Sequence, residues 1–512
     1  MKCFLGIDIG TTGTKALLLA ETGGIVAQAT STYPLLTPKA NWAEQNPEDW
    51  WQAAISSVRE CLTRADRSFD ANIEVQAIGL TGQMHSTVFL NSDGTVLRPA
   101  ILWCDQRTAS QCREIIDTVG FDQLILRTSN TALPGFTAPK ILWLRENEPE
   151  IYDRDASILL AKDYIRYRLS GNFATDVSDA SGTLLLDVAE RRWAESIIEA
   201  LNIPRTWLPD CFESTDITGY VTTEAAGKLG LPEGIPVVAG GGDQAAGAVG
   251  NGVVHTGSAS CVLGTSGAVF WHSDAHIHDE HGRLHAFCHA VPGKWHLMGV
   301  TLAAGGSLRW FRDTLCQPEI DEAAKQGIDP YDVIIEQAFS VPPGSEGLLF
   351  LPYLAGERTP HTDANARGAF IGLSLRHNKA HMARAVIEGI TMSLKDCFEL
   401  GKELSINPNQ VQISGGGARS SLWRQMIADT LGVEVVHTQV DEGPAYGAAI
   451  LAAVGTGRFR SVEEACREMV TISEIHQPNP LNGEIYHNIY GLYKPLYGTL
   501  KEHFARSASG ND

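Results

Sequence analysis

Twice along the chain an apolar run breaks at Gly-Thr-(Thr/Ser)-Gly and resumes as a second apolar run. The first is GIDIGTTGTKALLLA from Gly6 to Ala20; the second is SASCVLGTSGAVFW around Gly264-Thr265-Ser266-Gly267. Strand, glycine turn and strand read this way, and their recurrence predicts an internal duplication: two related α/β halves flanking a central cleft, a common place for a ligand. At 512 residues the chain exceeds what one hydrophobic core supports, and roughly two to four domains are expected. We place the boundary near Gly247, after the run IPVVAGGGDQAAGAVG. That gives an N-terminal domain over 1–247, a C-terminal domain over 248–505 and a frayed, small and polar tail over 506–512.

The flanking sequence fits an α/β alternation. After Ala20 the turn Glu21-Thr22-Gly23-Gly24 leads into IVAQATSTY, so a hairpin opens the domain. Asn46-Pro47-Glu48-Asp49 supplies an N-cap, a first-turn proline and early acids ahead of Trp51, Ile55, Val58 and Leu62 at helical spacing, which predicts an amphipathic helix. EVQAIGLTGQMHSTVFLNSDGTVLRPAILW gives apolar runs broken at Gly82 and at Ser92-Asp93-Gly94, where a hairpin turn is expected. VQISGGGARSSLWRQMIADTLG predicts a strand, then Gly415-Gly416-Gly417, then a helix.

The turns themselves suggest chemistry. Glycines let backbone N–H groups point outward at close range, and the hydroxyls of Thr11, Thr12, Thr265 and Ser266 add donors, which is what phosphate oxygens require. The plain alternative is a tight hairpin whose threonines cap backbone groups. Asp8 tips the balance. A carboxylate in a buried strand is expensive unless a cation or donors meet it, and beside a polyphosphate it would hold Mg²⁺ directly or through water. No GxxxxGK[ST] or HExxH occurs, so nucleotide binding has to use another scaffold than the Walker loop. Flat backbone at Gly416 and Gly417 could accept an adenine or ribose, or equally mark a helix packed closely on the sheet.

VVAGGGDQAAGAVG carries a buried strand to three glycines and then Asp243 at a position resembling an N-cap. As structure alone Asp243 accepts from the first helical amides; functionally it could take the proton from an attacking hydroxyl. GLTGQMHSTVFL and PAILWCDQRT gather Gln83, Met84, His85, Trp103, Asp105 and Arg107. Aromatic and thioether surfaces cover the C–H faces of a sugar, while amide, imidazole and carboxylate fix its hydroxyls. A lone buried histidine is ordinarily structural; His85 in this company points to a sugar.

Bulk properties exclude other classes. A formal charge of −20 argues against nucleic acid or anionic membrane as the main partner. Hydrophobic residues at 44% and charged residues at 20% match a soluble globular chain. The ten cysteines lack CxxC or paired spacing, so reduced thiols and a cytoplasmic home are expected. The apolar run in MKCFLGID is too short for a signal peptide, and no apolar segment reaches spanning length.

GIDIGTTGTK, GFTAPKILWLREN, GGGDQAAG and GAFIGLSLRHNKAHMARAVIEG together resemble the FGGY carbohydrate kinases over nearly the whole chain. The resemblance implies duplicated actin-like ATPase (ribonuclease-H-like) domains. It also implies ATP-Mg²⁺-dependent phosphorylation of a sugar hydroxyl, here a ketopentose, with D-xylulose and its O5 favoured by GQMH, WCDQR and ATDVSDASGT. Carried over, Asp243 is the general base and Asp8 lies at the metal and γ-phosphate. Thr11, Thr12, Lys15, Gly264 and Thr265 surround the phosphates, Met84, His85 and Gln244 line the sugar, and Gly305, Arg309, Gly416, Gly417 and Ser421 border the nucleotide. Ser421 stands where several relatives place asparagine, and Met84-His85 where glycerol kinases carry an Arg-Glu pair. A homodimer follows by analogy alone. Two other readings stay open: a kinase for another ketose or polyol such as ribulose, and a non-catalytic actin-like nucleotide switch.

Overall fold

The computed structural model describes residues 1–69, 72–154, 156–440 and 443–509. They form two compact units. The first comprises Met1–His255, His272–His296 and Glu442–Thr471; the second comprises Thr256–Trp271, Leu297–Asp441 and Ile472–Asp512. Gly247, where the sequence suggested a boundary, lies inside the helix Asp243–Gly250, and the first unit runs to His255 and also takes two later segments. Residues 506–509, expected as frayed tail, continue the helix Leu496–Ser509, and 510–512 lie outside the described residues.

In the first unit the opening motif is a strand pair, Lys2–Ile9 and Gly13–Ala20, antiparallel, with Ile25–Thr32 added antiparallel beyond it. Glu74–Gly82 joins Lys2–Ile9 in parallel, and Pro236–Val238 and Gly241–Gly242 pair with Glu74–Gly82. Alternate side chains of a strand face opposite ways. Cys3, Leu5, Ile7 and Ile9 therefore pack into one core with Trp50, Trp51, Ala54 and Val58 of the helix Pro47–Ser68. That helix starts as expected, with the Asn46 side chain accepting from Glu48 N–H.

The other face of Lys2–Ile9 carries Gly6 and Asp8, and it is covered by the helix Gly443–Gly455. This helix is apolar all round, and its residues Ala445 to Ala453 are buried. Backbone meets backbone here: a Cβ on Gly6 would stand 1.9 Å from Ala445 O, one on Gly79 1.8 Å from Ala448 O, and one on Gly447 1.8 Å from Ala246 O. The last contact also clamps the helix Asp243–Gly250 to its neighbour, so the glycines set where Asp243 sits.

The second unit repeats the opening theme. Ser258–Leu263 and Gly267–Ser273 form an antiparallel pair, Gln410–Ser414 joins in parallel, Glu434–Thr438 joins in parallel after it, and Ile472–His476 closes antiparallel. The predicted strand and helix around the third glycine cluster are Gln410–Ser414 and Ser421–Leu431.

Replacing Gly79 by alanine forces a methyl into Ala448 O, and overpacking against backbone cannot be relieved by a rotamer change. Gly79→Ala is expected to lose about 3 kcal/mol or more of stability, whereas Gly491→Ala, with nothing within 4 Å of its Cβ, is expected to change it by less than about 1 kcal/mol. Urea denaturation of both variants checks this.

Candidate active site

The sheet register of the first unit aligns four residues across neighbouring strands. Lys15 lies opposite Asp8, Asp8 opposite Thr81, and Thr81 opposite Gly241. Adjacent strands are about 4.8 Å apart, so Asp8 sits two strands from the glycine pair that leads into Asp243. Lys15 thus stands directly across from Asp8 on the neighbouring strand.

The turn after Asp8 is held from several sides. Gly10 N–H donates to Gly13 O at 3.1 Å, and the Tyr33 hydroxyl donates to Gly10 O. Gln45 Nε2 donates to Thr11 O at 2.8 Å, and Trp103 Nε1 donates to Thr11 Oγ1 at 2.9 Å. Gln83 is buried beneath the turn, where its N–H donates to Ile9 O at 2.9 Å and its Nε2 to Gln45 Oε1 at 3.1 Å, while its Oε1 accepts from Ser86 Oγ. Gln83 is thus a strut of the first phosphate loop; its amide is spent on protein partners where the sequence suggested a sugar ligand. Trp103 is 43% exposed and braces Thr11 through its indole N–H. Thr12 is exposed at the tip.

His85 has φ +65°, a left-handed backbone held by Lys140, whose ammonium donates to His85 O at 2.8 Å. Its Nδ1 lies 2.7 Å from Gly182 O. A carbonyl only accepts, so Nδ1 carries the proton. Phe136 lies tilted against the ring, with 4.7 Å between ring centroids. Met84 packs on the glycine before Asp243: a Cβ on Gly242 would meet Met84 Cγ at 2.9 Å, and one on Gly182 would meet His85 Nδ1 at 2.6 Å. Met84, His85 and the start of the Asp243 helix therefore share one wall.

Asp243 is the first residue of its helix, with Gly242 as the cap, a shift of one from the expected N-cap. Its carboxylate keeps a partly accessible edge. Burial pushes it up to about 6, against the pull of the Gln244 N–H and the Gln244 side chain that hydrogen-bond it. Gln244 thus acts first on Asp243. Asp105 stands apart from this wall: fully buried, it accepts from Ala43 N–H at 2.6 Å and forms a close ion pair with Arg107 at 2.7 Å. A sugar role for Asp105 is corrected to a structural one, because the guanidinium that balances it also consumes its lone pairs.

The second phosphate loop belongs to the second unit. Gly305 N–H donates to Gly264 O at 2.8 Å and Gly306 N–H to Thr265 O at 2.9 Å, which ties the loop to the start of the helix Gly305–Leu315. A Cβ on Gly305 would stand 2.5 Å from Gly264 O, so only glycine allows the approach. Next to the loop is a cavity of about 430 Å³, lined by Gly264, Thr265, Gly305, Arg309, Gly416 and Gly417, a size that suits a small ligand. Ser420 lines it while Ser421 does not; Ser420 is the N-cap, accepting from Trp423 N–H, and Ser421 is turned to solvent. The sequence reading missed Asp329, Tyr331 and Asp332 on the same cavity, although Asp329-Pro330 is a helix-start signal.

Among the described residues no group of three or more His, Cys, Asp or Glu could hold a metal ion. A single carboxylate, Asp8, beside a phosphate loop fits Mg²⁺, which binds through one or two carboxylates plus substrate phosphates and water.

A strand, glycine turn and strand in each of two like α/β units is the arrangement of the actin-like ATPase, ribonuclease-H-like type. The FGGY family of carbohydrate kinases matches with its N-terminal domain over residues 3–250 and its C-terminal domain over residues 259–456. The chain belongs to that family and is a carbohydrate kinase. It is 40% identical over 502 residues to the xylulose kinase of Bacillus subtilis (strain 168), covering 98% of each chain. To the xylulose kinase of Lactococcus lactis subsp. lactis it is 42% identical over 504 residues, again covering 98% of each. The ligand-bound xylulose kinase structure from Lactobacillus acidophilus superposes with a TM-score of 0.90 at 29% identity, covering 99% of this chain and 100% of that one.

The raised Asp243 carboxyl has a signed consequence. Its folded value of about 6 exceeds the ordinary aspartate value of about 4, so its charged form weakens the native state above pH 6 and the penalty vanishes below pH 4. Asp243→Asn is expected to stabilise the protein by about 1–3 kcal/mol at pH 7.5 and by nothing near pH 4, measured by denaturant titration at both values.

Proposed function

We propose that the protein phosphorylates D-xylulose on O5, with ATP as donor and Mg²⁺ as the accompanying ion. The observation that carries this is the grouping of Met84, His85 and the start of the Asp243 helix on one wall in a chain 40% and 42% identical to two xylulose kinases over nearly its full length. In this reading Asp243 accepts the proton of the attacking hydroxyl as its oxygen bonds to the γ-phosphorus and ADP departs, and then yields that proton to water. His85 Nε2 accepts from a sugar hydroxyl, and Met84 covers a C–H face. Gln244 holds Asp243 with its lone pair toward the acceptor. Thr11, Thr12, Lys15 and Thr265 carry donors to the phosphates, and Gly416 and Gly417 give the nucleotide a flat floor next to Arg309. Mg²⁺ held at Asp8 would neutralise charge on the β- and γ-phosphates.

Such chemistry asks for placement and charge neutralisation more than for covalent work by the protein. A pure nucleotide switch has no use for a poised carboxylate beside His85, which disfavours it. No helix among the described residues is long and apolar enough to cross a membrane. All ten cysteines are free thiols, which supports a cytoplasmic setting; a homodimer rests on family analogy.

A coupled ADP-release screen across pentuloses, hexuloses and polyols tests the acceptor, with D-xylulose expected to give the highest kcat/KM. A higher value for ribulose or a polyol overturns that choice. Asp243→Asn is expected to lower kcat by about 10³-fold while the Kd for a non-hydrolysable ATP analogue stays within about twofold. The acid limb of wild-type kcat/KM is expected to fall below a pH of about 6, because only the deprotonated carboxylate can act as base.

A further inference from the structure

Behind the wall that carries Asp243 lies a fully buried group of charges that the mechanism does not use. Lys162 Nζ stands 2.5 Å from Asp163 Oδ1, 2.8 Å from Asp176 Oδ1 and 3.4 Å from Asp179 Oδ2, and Arg166 pairs with Asp163 at 2.8 Å. None of the five side chains has any exposed surface. Bare burial of so much charge is costly, and such groups are usually no better for stability than an apolar core. Their connections give a different reason for their presence.

Asp176 bridges outward from Lys162. Its Oδ2 accepts from Ser178 Oγ at 2.5 Å and from Ser214 Oγ at 3.0 Å. Ser178 Oγ in turn accepts from Gly242 N–H at 3.1 Å, the amide immediately before Asp243. Arg166 reaches the same strand further back, donating to Ala239 O. On the other side, the Lys162 stem backs Gly82, whose Cβ would lie 3.5 Å from Lys162 Cβ, and Gly82 leads into Gln83, Met84 and His85. The segment that bears Asp176 and Ser178 continues to Gly182, whose carbonyl orients His85.

We propose that Lys162 is a positioning residue for phosphoryl transfer, acting through Asp176 and Ser178 to fix the Gly241-Gly242 backbone that presents Asp243 while its stem fixes the approach to Met84 and His85. The inference rests on the reading of Asp243 as base. Burial opposes the charge on Asp163, but Lys162 and Arg166 outweigh it and hold that carboxyl below the usual range. Burial raises Asp179 well above its usual range, and Asp163, Asp176 and Asp243 add to the rise against Lys162. A rigid, fully buried anchor suits a site where misplacing a reacting group by about 1 Å can cost about 10²-fold in rate.

Ser178→Ala removes one link of the relay at a small buried site, and Lys162→Met removes its source. Ser178→Ala is expected to lower kcat by about tenfold or more and Lys162→Met by about 10²-fold. Both should leave the molar stoichiometry and Kd of a non-hydrolysable ATP analogue, read by calorimetry, within twofold. Should Lys162→Met not fold, Ser178→Ala carries the test. A kcat within twofold of wild type for Ser178→Ala overturns the proposal, as does a loss of kcat matched by an equal loss of binding stoichiometry, the mark of a merely structural role. Asp243→Asn measured alongside separates the two readings: if it stays active the base assignment fails, and if it is dead while Ser178→Ala is fully active only the positioning role fails.

Discussion

Everything in the acceptor half of the site depends on the cost of holding the Asp243 carboxylate where water is scarce. Moving its proton affinity from an ordinary value to about 6 corresponds to about 3 kcal/mol, a sizeable share of the stability of a typical domain. Under the proposed mechanism that cost has a use, since a carboxylate with higher proton affinity is a better base near neutral pH. A site of this kind is expected to trade stability for activity.

Holding such a group in place calls for rigid neighbours, and the fold supplies them by bringing backbones together. Gly6, Gly79 and Gly447 let the helix Gly443–Gly455 lie directly on the central strands and on the Asp243 helix. Side chains there would add rotamers and distance. The same economy recurs in the second unit, where Gly305 allows a helix start to touch the phosphate loop. Glycines in this chain therefore serve close packing at both places, one of the two alternatives weighed for them in the sequence.

Local patterns made much of this legible. The duplicated hairpins, the Asn46 cap, the turn at Gly94 and the strand and helix around Gly415 follow from short-range periodicity and turn chemistry, which a sequence displays openly. The grouping of Met84 and His85 with the glycines before Asp243 agrees with what their neighbours in the sequence suggested. What escaped depends on long-range contact. Asp105 looks like a sugar ligand until Arg107 and Ala43 are seen to take its oxygens, and Gln83 until the loop above it is seen to use its amide. Ser421 and Ser420 differ by one helical position, within the error of any helix boundary read from sequence. That the first unit regains residues after Glu442, and that Lys162 lies behind Asp243, have no local signal at all.

The account stands on one property, the proton affinity of a single side chain. Carbon-13 labelling of aspartate carboxyls, with Asp243→Asn used to assign the signal, reads it directly as a function of pH. The account predicts a resonance for Asp243 that titrates with a midpoint near 6; a midpoint near the ordinary aspartate value of about 4 would contradict it.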